Sequence, residues 1–118
     1  MDKPTADTVA WFERLVPSDP RAEKGQMFGC PCAFVAGNLF FGTFAQTLIA
    51  RVGEARAAQV QRAGVRIFEP MAGRAWKEYL QFEPGALPDA ELAALSHEAL
   101  EATAQLPAKA SKGKRAAK

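Results

Sequence analysis

At 118 residues, 48% of them apolar, the chain is long enough for one domain with its own core and needs neither disulfide nor metal to hold it. No run approaches the ~18 apolar residues of a membrane span. The opening MDKPTADTVAW has polar and acidic residues where a signal peptide has its apolar stretch, so a cytoplasmic protein is expected. The net charge of +2 is unevenly divided: Lys109, Lys112, Lys114, Arg115 and Lys118 leave ten cations against thirteen anions in residues 1–108, which argues against the body as a nucleic-acid reader.

Val9, Phe12 and Val16 recur at helical spacing behind the candidate caps Thr5 and Asp7, and Pro17 stops the pattern, so a short amphipathic helix is predicted over residues 7–16. Residues 17–26, with two prolines and mixed charges, read as a loop. Residues 32–36 and 39–44 then form β-type runs around Gly37-Asn38, a dipeptide suited to the positive φ of a two-residue hairpin turn. After a break at Ala45-Gln46, residues 47–52 read as a third strand, with Leu48, Ala50 and Val52 on one face and Thr47, Ile49 and Arg51 on the other.

Gly53 introduces a helix of about three turns, with Glu54 at its start and Gly64 at its stop. Residues 65–69 and 75–82 follow as two strands joined by the loop 70–74. The last helix begins near Pro88 and Asp89 and carries the stripe Leu92, Leu95, Ala99 and Leu106 as far as Pro107. Residues 108–118 have nothing to bury and read as a disordered basic tail. The predicted class is α+β: helix, three-stranded antiparallel meander, helix, two strands, helix, with the helices on one face of the sheet.

Several blocks in this order resemble the TfoX N-terminal domain family, also called Sxy. They are Met27-Phe28-Gly29 before the first strand, the hairpin Phe34-Val35-Ala36-Gly37-Asn38-Leu39-Phe40, and Phe68-Glu69-Pro70-Met71 followed by Gly73-Arg74 and Lys77-Glu78-Tyr79. The likeness continues through Pro84 to the helix with Leu92 and Leu95, and spans roughly residues 9–107. It implies a fold of the secretion-chaperone type and a domain over residues 1–107. Members are linked to competence for DNA uptake and act with the cyclic-AMP receptor protein in transcription regulation. The full-length regulators carry a second, helical domain similar to helix-hairpin-helix DNA-binding modules, whereas this sequence passes from the first domain to a basic tail. The resemblance supplies no catalytic residue.

Cys30-Pro31-Cys32 is the first candidate for chemistry, but a zinc site needs four N or S ligands and His97 is the sole histidine, far along the chain. Redox pairs usually sit at a helix N-terminus with two intervening residues, whereas these cysteines start a strand, so they read as small core residues. His97 falls off the apolar stripe of its helix, and Ser96 beside it points elsewhere. The carboxylates between Lys24 and Gly85 are Glu54, Glu69, Glu78 and Glu83, none paired in a loop, and the glycines form no phosphate loop. No catalytic, cofactor or metal residue is therefore expected.

Arg66, Arg74, Trp76, Lys77 and Tyr79 interleave cations with aromatics, but neighbouring glutamates dilute the charge, and strict alternation sets Trp76 with Glu78 and Lys77 with Tyr79. Phe34, Phe40 and Phe44 share one parity while Val35, Leu39 and Phe41 share the other. Helices cover only one such set, so the other predicts a homodimer or a protein partner on an open sheet face. The expectation is a non-enzymatic regulatory accessory module acting through protein–protein contacts at Phe34, Phe41, Arg74, Trp76 and Lys77. The tail lysines and Arg115 would add weak, salt-sensitive attraction to nucleic acid. The alternative is a small-ligand-binding domain or enzyme with a pocket near Arg74, Trp76 and the Cys30/Cys32 strand.

Overall fold

The computed structural model describes residues 3–27 and 29–107. In chain order the elements are α1 (Ala6–Leu15), β1 (Ala22–Met27), β2 (Cys30–Val35), β3 (Asn38–Phe44), β4 (Thr47–Arg51), α2 (Glu54–Val60), β5 (Val65–Met71), β6 (Arg74–Phe82) and α3 (Asp89–Ala104). The six strands form one antiparallel sheet in the order β1-β2-β3-β4-β6-β5. The class is α+β, with one strand more than the periodicity predicts. The extra strand, β1, lies in the segment expected to be a loop. Its residues AEKGQM show no apolar alternation because it is an edge strand with Glu23 to Gln26 exposed.

All three helices pack on one face. Trp11, Phe12 and Leu15 of α1, Ala57 and Val60 of α2, and Leu92, Leu95, Ala99 and Leu100 of α3 share a buried cluster with Phe40, Phe41, Leu48, Ala50, Leu80 and Phe82 of the sheet. Each fully buried Phe or Leu here contributes about 2–3 kcal/mol relative to exposure. Thr5 caps α1 by accepting from the Thr8 amide. Gln46, in the β3–β4 turn, accepts from the Thr5 amide and the Thr8 hydroxyl and donates to the Lys3 carbonyl, pinning that helix end to the sheet.

The hairpin turns sit one residue earlier than Gly37-Asn38 implies. Val35 pairs with Asn38, so Ala36 (φ 51°) and Gly37 (φ 83°) make the turn, and Asn38 begins β3. Both central residues take positive φ, as a two-residue hairpin turn that follows the strand twist requires. Helix α2 is shorter than predicted, two turns rather than three. Strand β5 runs on through Pro70 and Met71, and an edge strand tolerates the proline because no neighbour needs its missing N–H. No described helix is long and apolar enough to cross a membrane. The basic tail lies outside the described residues.

Candidate functional site

Two breaks in strand register decide what the other face presents. Ala33 pairs with Phe41 but Phe34 pairs with Leu39, so Phe40 is an extra residue in β3. A bulge of this kind places neighbours on one side of the sheet, and Phe40 and Phe41 are both fully buried under the helices. The expected parity is thereby overturned. Leu39 and Phe44 stand with Phe34 on the second face. Phe41, expected to be part of an interaction surface, stacks on Phe12 at 5.5 Å between ring centroids and has no exposed area to offer a partner.

The second break lies in the β5–β6 hairpin. Ile67 pairs with Leu80 and Phe68 with Trp76, so Lys77, Glu78 and Tyr79 are interposed on β6 alone. Strict alternation would set Trp76 and Tyr79 on opposite faces; instead their rings meet at 5.2 Å. Phe68 contacts Phe44 at 4.8 Å and Trp76 at 5.1 Å. Together with Cys32, Leu39 and Ile49, and with Met27 and Phe34 at the margin, these residues form a second apolar cluster. The surplus of apolar side chains is absorbed within the molecule. Among the described residues, Phe34, Phe44 and Trp76 are half-buried, and packed side chains stand on the second face where an open one was expected.

The polar groups of this face are also engaged. The buried Tyr79 hydroxyl donates to the Leu39 carbonyl at 2.9 Å, and burial raises its pKa. Arg51 lies over the Tyr79 ring at 5.5 Å and pairs with Glu78 at 3.1 Å. The Gln81 amide donates to the Thr47 hydroxyl. Cys30 and Cys32 are buried thiols, and burial pushes Cys32 up to about 12, far from the lowered pKa of a reactive thiolate. Phe68, Tyr79 and Ile49 pack in one cluster with Cys32, and Trp76 lies against it.

His97 is exposed on α3 in a shallow depression shared with Val52, Glu98 and Glu101. The neighbouring Ser96 is buried, and its hydroxyl engages the carbonyls of Leu15 and Ala93, so the two residues form no nucleophile–base couple. No group of three or more His, Cys, Asp or Glu residues is spaced to hold a metal among the described residues.

Most cations of the described surface are paired with acids. Arg14, Arg21, Lys24, Arg51, Arg56, Arg62 and Arg66 each sit in an ion pair with an acid. The most developed pair joins Arg21 to Asp19 and Glu101, where hydrogen bonds from the guanidinium hold Asp19 down to about 2 and lower Glu101 as well. Arg74 and Lys77 enter no ion pair among the described residues, and both are exposed on the distal β5–β6 hairpin. Met71, directly opposite Arg74, is 67% exposed, the most exposed large apolar side chain among the described residues. Glu69, the nearest acid on β5, is committed to the turn, where its carboxylate accepts from the Gly73 amide at 2.7 Å. The tip thus carries an exposed apolar side chain opposite Arg74, with Lys77 further along the same strand, on an arm whose base is anchored by Phe68 and Trp76.

No protein-family model, curated protein or solved structure matches the chain. Of the residues expected to form a contact surface, the fold brings Arg74, Trp76 and Lys77 together on one hairpin, sets Phe34 against the same second-face cluster as Trp76, and removes Phe41 into the core. Sequence reasoning missed Met71. Its neighbour Pro70 marked the segment as a loop, although Met among Pro, Ala, Gly and Arg is itself a signal of an exposed apolar tip.

Proposed function

We propose that this chain is a non-enzymatic interaction module that docks a protein partner through the distal β5–β6 hairpin. The observation that carries this reading is the exposed Met71 opposite Arg74, on a hairpin whose two cations, Arg74 and Lys77, enter no ion pair among the described residues. A partner offering an apolar pocket rimmed by Asp or Glu matches it, because Arg74 can grip a carboxylate with two parallel N–H groups. Trp76, half-buried at the base, supplies a stiff support. The resemblance to the TfoX N-terminal domain, in which a small α+β domain serves a transcription regulator, is compatible with an accessory role of this kind and with a cytoplasmic setting.

The test is affinity capture from the native cytoplasm at low salt, with wild type beside Met71→Glu and Arg74→Glu/Lys77→Glu. A protein retained by wild type and lost with both variants supports the reading. An unchanged set of retained proteins sinks it.

A further inference from the structure

We infer that β1 is a self-pairing edge at which two copies of the chain join their sheets antiparallel, about a two-fold axis at Gly25. This goes beyond the hairpin-tip reading and does not depend on it. The two ends of the sheet are built differently. At the β5 end, Pro70 lacks an N–H and the register with β6 slips twice. At the β1 end, six residues run in continuous register with β2, and Glu23, Lys24, Gly25 and Gln26 are exposed. An exposed edge of this length in unbroken register is a template for another strand, and its charges limit which registers it accepts.

Two hydrogen bonds identify which backbone groups point outward. The Pro31 carbonyl accepts from the Thr43 hydroxyl of β3, so Pro31 turns away from β1 and its partner Gln26 directs its own N–H and C=O to the open side. Alternation makes Lys24 and Ala22 outward-facing too, and the Ala22 amide is indeed satisfied by the Asp19 carbonyl instead of by β2. Lys24 and Gln26 therefore hold the free donors and acceptors of this edge.

Charge and geometry then select the register. Centring the pair on Lys24 sets two lysines directly opposite each other, a destabilising arrangement. Centring it on Gly25 sets Lys24 against Gln26 of the second copy and Glu23 against Met27, with no like charges opposed and about four new backbone hydrogen bonds. Gly25 then meets Gly25 where the two strands approach most closely. The Phe34 ring already leans over this glycine, so near that an added Cβ would lie 3.1 Å from it. In the dimer two half-buried Phe34 rings lean toward the seam from either side with only glycine between them. The two hairpin tips remain free at the outer ends of a continuous twelve-stranded sheet.

Sedimentation velocity on the full chain from roughly 5 to 500 micromolar is the test, since a short edge interface gives affinity in this range. The expected result is reversible dimerisation. Lys24→Pro removes an outward N–H and no hydrogen bond to β2, and should abolish the dimer with the circular dichroism unchanged. Gln26→Lys opposes like charges twice and should weaken the dimer roughly tenfold, while Lys24→Glu/Gln26→Lys should restore it. If Lys24→Pro fails to fold, that charge pair decides alone. A wild type that stays monomeric throughout, a folded Lys24→Pro as dimeric as wild type, or an indifferent charge pair would each overturn the inference. Met71→Glu should leave dimerisation untouched, which separates this result from that of the capture experiment.

Discussion

Phe44 and Phe68 meet edge to face at 4.8 Å, although the strand pairings set them three strands and four residue levels apart. In a flat sheet that separation is roughly 19 Å. The distal β5–β6 hairpin must therefore curl over the second face, and the three interposed residues Lys77, Glu78 and Tyr79 supply the bend. Phe68, fully buried, is its anchor. Phe68→Ala is expected to cost about 3–5 kcal/mol in a denaturant titration. It should also raise proteolysis within the tip before the helix-side core opens.

Tyr79 ties the same hairpin to β3 through its hydroxyl. Tyr79→Phe keeps the ring packing against Trp76 and Arg51 but leaves the Leu39 carbonyl without that donor. A loss of about 1–2 kcal/mol is expected, smaller than that of Phe68→Ala. A loss as large as that of Phe68→Ala would mean that the Tyr79 hydroxyl bond holds the hairpin as firmly as the Phe68 ring.

Gly42 is required by contact rather than by backbone conformation. It faces Cys32 across the β2–β3 ladder, and an added Cβ would fall 2.4 Å from the Cys32 Sγ and 3.0 Å from its Cα. The second distance means that no rotation of the thiol relieves the overlap. Gly42→Ala should destabilise by about 1–3 kcal/mol, measured as a lower urea midpoint at an unchanged slope.

Cys32 makes stability depend on alkaline pH. Its folded pKa stands at about 12 because burial disfavours the thiolate, whereas in the unfolded chain it titrates near the ordinary value of about 8.5. The folded state therefore holds the proton more tightly. Its contribution is complete below about pH 8.5 and is lost as pH rises toward 12, on the order of 5 kcal/mol across that window. The raised pKa of Tyr79 acts with the same sign above its ordinary value near 10. Cys32→Ala should flatten the fall between pH 9 and about 11, as read from urea midpoints. A slope as steep as wild type would place the titration elsewhere.

The charge partition of the sequence makes a separate claim about residues 108–118. With the body at ten cations against thirteen anions, deletion of these residues should abolish retention on heparin at low salt. Retention that survives the deletion would point to the Arg74/Lys77 tip as the basic surface.

The helices, the central hairpin and the alternation of β4 could be read from residue pattern because each carries a clean period and a turn or cap at its end. Thr47, Ile49 and Arg51 do face away from Leu48, Ala50 and Val52. Strand β1 was invisible because an edge strand with both sides exposed needs no apolar residue in register. The bulge at Phe40 was invisible for the opposite reason: Leu39, Phe40 and Phe41 are all apolar, so a parity switch among them leaves no trace. That one switch produced the expectation of an open greasy face. The Lys77–Tyr79 insertion hid Trp76 and Tyr79 from one another in the same way. Arg74 and Lys77 stand out by residue type alone, but their lack of an ion pair depends on the fold, which draws Glu78 to Arg51 and Glu69 to the Gly73 amide.

The division of apolar side chains between two layers has a spectroscopic consequence. Trp11 belongs to the layer beneath the helices and Trp76 to the layer under the curled hairpin, and the chain has two tryptophans in all. Single-tryptophan versions would thus report, by emission colour and quenching, on each layer in turn. Coincident melting curves would show the hairpin welded to the main body, and an earlier transition at Trp76 would show it to be a separately opening flap.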